Sequence, residues 1–502
     1  MKYSVLSLAL AACTCHVQAE IKLASPFTSH TVLQRELPVP VWGQADPGEE
    51  VSVEFAGQKQ AVTAGPDGCW RIELAPMKAS TASRKLKVTG SKTAHPLVLD
   101  DVLVGEVWLC SGQSNMDFTV AKTPKYYFAG VTNEAEEVAA ANYPTLRMFT
   151  GDWTRAYEPQ QSVGGTWKPC TPENVREFCA VGYFFARDLQ KELKVPVGIV
   201  TLTYGASTAQ AWVRREAIAA NPQLKPLLEA FDEQVKNYVP PTEAELNTWQ
   251  AAAEKAKASG RRAPRRSRPD PVQDQHNPTV MFNGMIAPFV GFALRGVLWY
   301  QGESITAPRD LFPLWNETLI KDWRSLWGRE LPFYFCQLAA LENSSNSPQV
   351  REWQAEALKL PNTAMAVTID IGDRKNVHPR DKAPLGNRLA RIALARDYDR
   401  KIEYSGPQCE SVAAADGALR LKFSHAASGL ETRGGPLKTF EVAGADGKFV
   451  PAEARVEGDT VVVRSAKVAA PTSARYAWAG YPDGCNFYNG AGLPAAPFRI
   501  TK

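Results

Sequence analysis

The sequence predicts an α/β protein: a mostly parallel sheet with helices on both faces, flanked by β-rich regions at either end. Three observations carry this. From about residue 21 to 98, apolar and polar residues alternate in short runs broken by turns; from Asp101 to about Tyr398, apolar runs alternate with helical patterns; after about residue 400 the alternating texture returns. At 502 residues the chain is too long for one ordinary core. Its 44% hydrophobic and 22% charged residues are typical of a globular protein, and a net charge of +4 over this length gives no reason to expect nucleic acid or a membrane surface as partner.

Residues 1–19 read as a secretory signal: one lysine, then an apolar run too short to span a bilayer, ending in Val17-Gln-Ala19. Leu10-Ala-Ala-Cys13 also resembles a lipoprotein box. Strand pattern begins by Ile21, however, which leaves almost no tether after Cys13, so cleavage after Ala19 is expected, with export to the periplasm or the outside. Residues 20–99 predict a small antiparallel β-domain. Pro38-Val-Pro-Val-Trp42 leads into the turn Asp46-Pro-Gly48; Val51, Val53 and Phe55 then alternate with polar residues, as do Leu86 and Val88.

Residues 100–400 form the predicted central domain, with buried strands over 195–202, 296–300 and 364–370 and helices over 178–193, 351–360 and 381–396. Within it, 236–275 reads as an insertion: a polar helix over 242–257, then the basic run from Arg261 to Pro269, a solvated loop with a basic docking patch as the alternative. Residues 401–502 predict a second β-domain, a sandwich, on the alternation in Ala418–Phe423 and the run Thr460–Val463. No later segment is long and apolar enough for a transmembrane helix.

Of nine cysteines, Cys13 and Cys15 leave with the signal. The others are scattered with no C-x-x-C pair, so a zinc cage is not expected, and Cys170 with Cys179 is the candidate disulfide; no cofactor is expected either.

The chemistry points to the run Gly105 to Met116, an apolar strand entering Ser-Gly-Gln and presenting Ser114 at the first turn of a helix. Such a corner offers a hydroxyl for attack and a backbone N–H for an oxyanion. Met116 stands where the nucleophile elbow of α/β-hydrolases has its second glycine, so that elbow is not expected. A lone serine here would more often cap the helix. A hydrolytic serine needs a base, and of six histidines His378 is best placed, between a buried strand and a helix carrying Leu385, Leu389 and Ile392 on one face. Gly205 follows another strand and can offer a backbone N–H; Gln301 and Glu303 follow a third.

Leu109-Cys-Ser-Gly-Gln-Ser-Asn-Met116, Asn283-Gly-Met-Ile-Ala-Pro288, Trp299-Tyr-Gln-Gly-Glu-Ser304 and Val377-His-Pro-Arg-Asp381 together resemble the sialate O-acetylesterase group of SGNH-type hydrolases. Val32-Leu-Gln34, Val39-Pro-Val-Trp-Gly43, Gly429-Leu430 and Gly492-Leu-Pro-Ala495 extend the resemblance over nearly the whole mature chain. It implies an SGNH (flavodoxin-like) catalytic domain and an exported, metal-free esterase removing O-acetyl groups from sugars through an acyl-serine. Ser114 would be the nucleophile, His378 the base and acid, and the N–H groups of Ser114 and Gly205 with the Gln301 amide the oxyanion hole.

Two departures accompany it. Related sites carry an aspartate two or three residues before the histidine, where this chain has Asn376 and Lys375; the Asn376 carbonyl, Glu303 or Asp373 would have to orient the imidazole, with Glu303 ranked ahead of Asp373. Ala206 and Ser207 replace the Gly-Thr that often follows the loop glycine. For a sialic acid carboxylate, Arg214 is the candidate partner. Acetylated xylan is the alternative substrate. A carbohydrate-binding protein without turnover, using Trp478, Tyr481, Phe487 and Tyr488, is the alternative from another class. An unperturbed His378 would give a rate rising through about pH 6.5.

Overall fold

The computed structural model describes residues 20–264, 268–342, 344 and 347–502; the expected signal segment 1–19, with Cys13, lies outside them. The described chain opens with strands β1 (Lys22–Leu23), β2 (Val32–Gln34), β3 (Val39–Gln44), β4 (Glu50–Phe55), β5 (Gln58–Thr63), β6 (Cys69–Leu74) and β7 (Ser80–Gly90), followed by the long β8 (Leu97–Gly112). β1, β3 and β6 make a small antiparallel sheet. β4, β5 and β7 pair in antiparallel fashion, and β7 continues onto β8. Val51, Val53 and Phe55 point inward and are buried, as their alternation requires.

β8 does not stop at the domain boundary expected near residue 99. Its first half pairs with β7, and its second half is the central strand of a larger sheet. That sheet is completed by β9 (Tyr143–Gly151), β10 (Gly165–Cys170), β11 (Val197–Thr203), β12 (Gly296–Tyr300), β13 (Phe333–Cys336) and β14 (Thr363–Ala366), in the order β10-β9-β11-β8-β12-β13-β14. All pairs are parallel except β10 with β9.

β8 is buried on both faces. Val107 and Leu109 join the cluster holding Trp299, Trp323 and Phe333, with Leu319 and Trp323 supplied by the helix Phe312–Trp327. Trp108 and Cys110 join the opposite cluster, filled by Phe184 from the helix Ala180–Leu193 and by Leu385 and Leu389 from the helix Ala383–Asp397. The last strand is shorter than its apolar run suggests: beyond Ala366, the Val367 carbonyl accepts from Arg388 at 2.6 Å and the Thr368 hydroxyl turns to the Gln337 carbonyl at 2.6 Å. The helix expected over 351–360 starts earlier, at Ser347–Ala355, and ends in the 3-10 turn Glu356–Lys359.

Beyond residue 400, Gln408–Ala415, Ala418–Ser424, Thr460–Arg464 and Glu453–Glu457 form one antiparallel sheet, and Val450–Pro451, Phe440–Ala443, Ser473–Tyr476 and Phe498–Thr501 another. Phe423, Phe440, Phe487 and Phe498 meet between them at centroid separations of 5.0 to 6.3 Å. The molecule is thus mixed α/β, with one large mixed sheet and further antiparallel sheets at both ends.

The expected disulfide is absent. Cys170 and Cys179 are both free and buried, and the Cys179 sulfur instead lies 3.7 Å from that of Met116 and accepts from the Gly182 N–H. Within the insertion, Thr242 caps the helix Glu243–Ala258 through a capping box with Glu245. The basic run folds back onto this helix: Trp249 donates to the Pro264 carbonyl at 2.8 Å and Arg268 pairs with Glu245, while residues 265–267 of the run lie outside the described residues. No helix among the described residues is long and apolar enough to cross a membrane.

Candidate active site

Strand register gathers the site. Gly112, Thr203 and Tyr300 are Cα partners across β8, β11 and β12, so the residues just beyond them leave the sheet at one level. Gly112 has φ 130°, and a Cβ there would lie 2.2 Å from the Tyr300 carbonyl oxygen. Only glycine fits that approach. Gln113 is extended, and Ser114 opens the one-turn helix Ser114–Asp117. From the neighbouring strand, Gly205 comes so close that a Cβ on it would stand 3.9 Å from the Ser114 Cβ. Ala206 behind it holds a left-handed φ of 57°, a strained geometry for a residue with a side chain.

His378 arrives from the loop after β14, and its Nε2 lies 2.8 Å from the Ser114 Oγ. The loop is tightly tied. Asp373 Oδ1 accepts the N–H groups of Lys375 and Asn376, and Asn376 Oδ1 accepts the His378 N–H at 3.0 Å. Phe128 packs on the imidazole at 4.6 Å between ring centroids, and Arg380 pins the Phe128 loop through the Gly130 and Val131 carbonyls. Burial first, then the nearby Lys382 charge, lowers the His378 pKa to about 4. The imidazole is therefore neutral, as a general base must be.

Glu303 does not touch His378. Its Oε1 accepts from the Asn115 side-chain amide, and its Oε2 is buried with no partner. Asp373 is spent on its own turn. Among the described residues no carboxylate hydrogen-bonds to the imidazole.

The Gln301 amide nitrogen lies 2.6 Å from the Ser304 carbonyl and within 3.4 Å of Gln113 Oε1 and the Ser207 carbonyl, so it braces the loops around the serine. Arg214 is tied through its backbone N–H and its Nε to the buried carboxylate of Asp322, and none of its hydrogen bonds leads to Ser114.

Several neighbours carried no signal of their own in the sequence. Asn115 sat inside the serine motif and Lys382 just past the histidine motif, each overshadowed by its neighbour. Lys125, Tyr126, Trp153, Arg155 and Tyr204 form a wall beside Phe128 and Gly205: Trp153 packs against Tyr126 and Tyr204, the Lys125 ammonium lies 4.5 Å from the Trp153 ring centroid, and the Arg155 guanidinium lies 5.0 Å from that of Tyr204. Trp153 is 40% exposed, so an aromatic face remains open to a ligand. The return of the insertion borders this wall, where Arg155 donates to the Gln273 carbonyl at 2.6 Å and Thr208 donates to the carbonyls of Gln275 and His276.

A family model described as "Carbohydrate esterase, sialic acid-specific acetylesterase" matches residues 104–240 and 277–395, a span holding Ser114, Gly205, Gln301, Glu303 and His378. The chain belongs to this family. The match breaks off over most of the insertion, including the helix Glu243–Ala258. This carbohydrate esterase is 30% identical to a sialate O-acetylesterase of Rattus norvegicus over 96% of its own length and 94% of that protein's. It is 28% identical to a sialate O-acetylesterase of Homo sapiens over 95% of its own length and 92% of that protein's. A crystal structure of a carbohydrate acetylesterase from Xanthomonas citri superposes with TM-score 0.81 at 33% identity, covering 96% of this chain and all of that one.

Proposed function

We propose that this chain is an exported serine esterase that removes O-acetyl groups from carbohydrate, with O-acetylated sialic acid as its substrate. The observation that carries the reading is the 2.8 Å contact between Ser114 Oγ and His378 Nε2 in a family of carbohydrate esterases. Ser114 Oγ attacks the acetyl carbonyl and passes its proton to His378 Nε2. The oxyanion is received by the N–H groups of Ser114 and Gly205; Gln301, the expected third donor, serves once its amide turns from the Ser304 carbonyl. His378 returns the proton to the departing sugar oxygen, then deprotonates the water that releases acetate from the serine.

The five neighbouring parallel strands β11-β8-β12-β13-β14 support an SGNH (flavodoxin-like) core: with β9 set aside as a further parallel strand beyond β11, their chain order reads 2-1-3-4-5 with the serine at the switch point. Around that core we assign a β-region before residue 100 and a β-sandwich after residue 400, with 236–275 as an insertion. The aromatic wall suits a sugar ring, and Lys125 and Arg155 supply cations for a sialic acid carboxylate. Arg214 would first have to leave Asp322 uncompensated.

Replacing Ser114 with alanine should abolish acetate release from an aryl acetate without unfolding the protein; retained turnover would overturn the serine route. Acetylated xylan is the second substrate considered, and direct comparison of the two hydrolyses decides between them. With sialate as substrate, Lys125→Ala and Arg155→Ala should raise KM for O-acetyl sialic acid by about tenfold and leave the aryl acetate KM within about twofold. A sugar-binding role without turnover is disfavoured by Trp478 and Tyr481, whose rings are capped by Arg499 and Arg374. Export predicts a mature protein beginning at Glu20, read by N-terminal sequencing.

A further inference from the structure

A serine–histidine pair with no acid behind the imidazole needs another device to hold the ring, and one surrounds Asn115. Its side-chain amide nitrogen donates to the Val377 carbonyl at 2.9 Å and to Glu303 Oε1, and its Oδ1 accepts from the Lys382 ammonium at 2.6 Å. Asn115 is covalently next to Ser114, and Val377 is next to His378. Backbone bond, hydrogen bond, backbone bond and the Ser114–His378 hydrogen bond therefore close a small ring around the reacting atoms.

We propose that Asn115, gripped between Lys382 and Glu303, is the positioning residue that holds His378 against Ser114. This inference rests on the serine–histidine reading above. The two charges have a specific task. An amide can sit either way round, and only one orientation lets its nitrogen reach Val377. Turned over, it would aim N–H groups at an ammonium and an oxygen at a carboxylate. Lys382 and Glu303 thus exclude the wrong rotamer from opposite sides, doing through the backbone what a carboxylate does elsewhere through the imidazole.

Their own setting fits that task. Lys382 is buried against the rings of Phe118 and Tyr300, 4.7 and 5.4 Å from their centroids. The titratable groups around it are Glu303, Cys336, Cys179 and Asp381. Burial lowers the Lys382 pKa to about 8, with Glu303 acting in the opposite sense. Burial also raises that of Glu303, against the Asn115 hydrogen bond and the Lys382 charge. The Lys382 charge adds to burial, the larger cause, in holding the His378 imidazole unprotonated.

Asn115→Ala opens the ring. It should lower kcat for an aryl acetate by about a hundredfold with KM within about twofold, and slow fluorophosphonate labelling of Ser114 in parallel. The double variant Lys382→Met/Glu303→Gln removes both charges together, so neither is left buried and unpaired. It should fold, lose roughly tenfold in kcat, and move the acid limb of kcat/KM to higher pH, because the cation that depresses His378 is gone. A double variant with wild-type kcat and acid limb would overturn the proposal, as would an Asn115→Ala enzyme within about twofold of wild-type kcat. A loss matched by an equal loss of folded protein would reduce the network to a structural role. Failure of the parent reading looks different: the unaltered enzyme would then release acetate independently of Ser114, or not at all.

Discussion

At His378, burial and the Lys382 charge both oppose protonation, and no carboxylate counters them. With His378 as the proposed base, neutral imidazole is the form that acts, so kcat/KM for an aryl acetate should hold down to about pH 5 and fall near the lowered pKa of about 4, well below the ordinary value near 6.5. A pH–rate profile centred on the ordinary value would contradict this. Asp117, three residues past the serine, shows the opposite shift. Burial raises its pKa to about 7, and only its Oδ1 finds a partner, the Thr203 hydroxyl at 2.6 Å. Between the unfolded value near 3.9 and about 7, the folded protein keeps a proton that the unfolded chain has lost, so stability falls as pH rises through that window. Asp117→Asn keeps an oxygen for Thr203 and removes the titration. Urea denaturation at pH 5 and pH 8 should show the variant's stability relative to wild type rising between the two, by at most about 3 kcal/mol. Equal pH dependence in both proteins would remove burial of Asp117 as the cause.

Among the elements, β8 carries the site because its end is built on a backbone approach that only glycine permits. Gly112→Ala should cost on the order of 2–4 kcal/mol in denaturant unfolding and cut activity further by displacing Ser114. The insertion helix Glu243–Ala258 is the opposite case, since it has no buried residue. Deleting 242–259, while keeping Gln273 to His276 in contact with the site, should leave the thermal midpoint within about 2 °C of wild type, as for surface changes generally. The same contrast explains what the sequence disclosed. Residues 296–300 and the helix faces of Leu385 and Leu389 were legible because burial on a regular period writes itself into local composition. The strand corners presenting Ser114, Gly205 and His378 were legible through their motifs. Contacts between distant segments were not: that Glu303 faces Asn115, that Arg214 faces Asp322, and that Cys179 meets Met116 depend on pairings no local pattern encodes. The boundary near residue 99 was blurred for a related reason, since a strand serving two sheets changes its partners while keeping its texture.

Across the whole molecule, two buried arginines join the carboxyl-terminal sheets to the segments around the large mixed sheet. Arg351 is fully buried and donates to the carbonyls of Leu338 and Ala339 on one side and of Ala479 and Gly480 on the other. Arg388 forks onto Asp370, which also accepts from the Tyr488 hydroxyl. Arg351→Met should leave the Leu338, Ala339 and Ala479 carbonyls without their Arg351 donor, while Gly480 keeps the Leu341 N–H, cost about 3–5 kcal/mol, and loosen the carboxyl-terminal region first. Hydrogen exchange over 470–490 checks this, and unchanged protection there would refute it. The Ser114–His378 contact also spans 264 positions of the chain. A ribosome must therefore deliver most of the polypeptide before Ser114 and His378 can meet, and β8 waits between unfinished neighbours until residues 296–300 emerge. During refolding, turnover should return later than the far-ultraviolet signal of helices and strands, which makes acetate release a clock for the final closure of the chain.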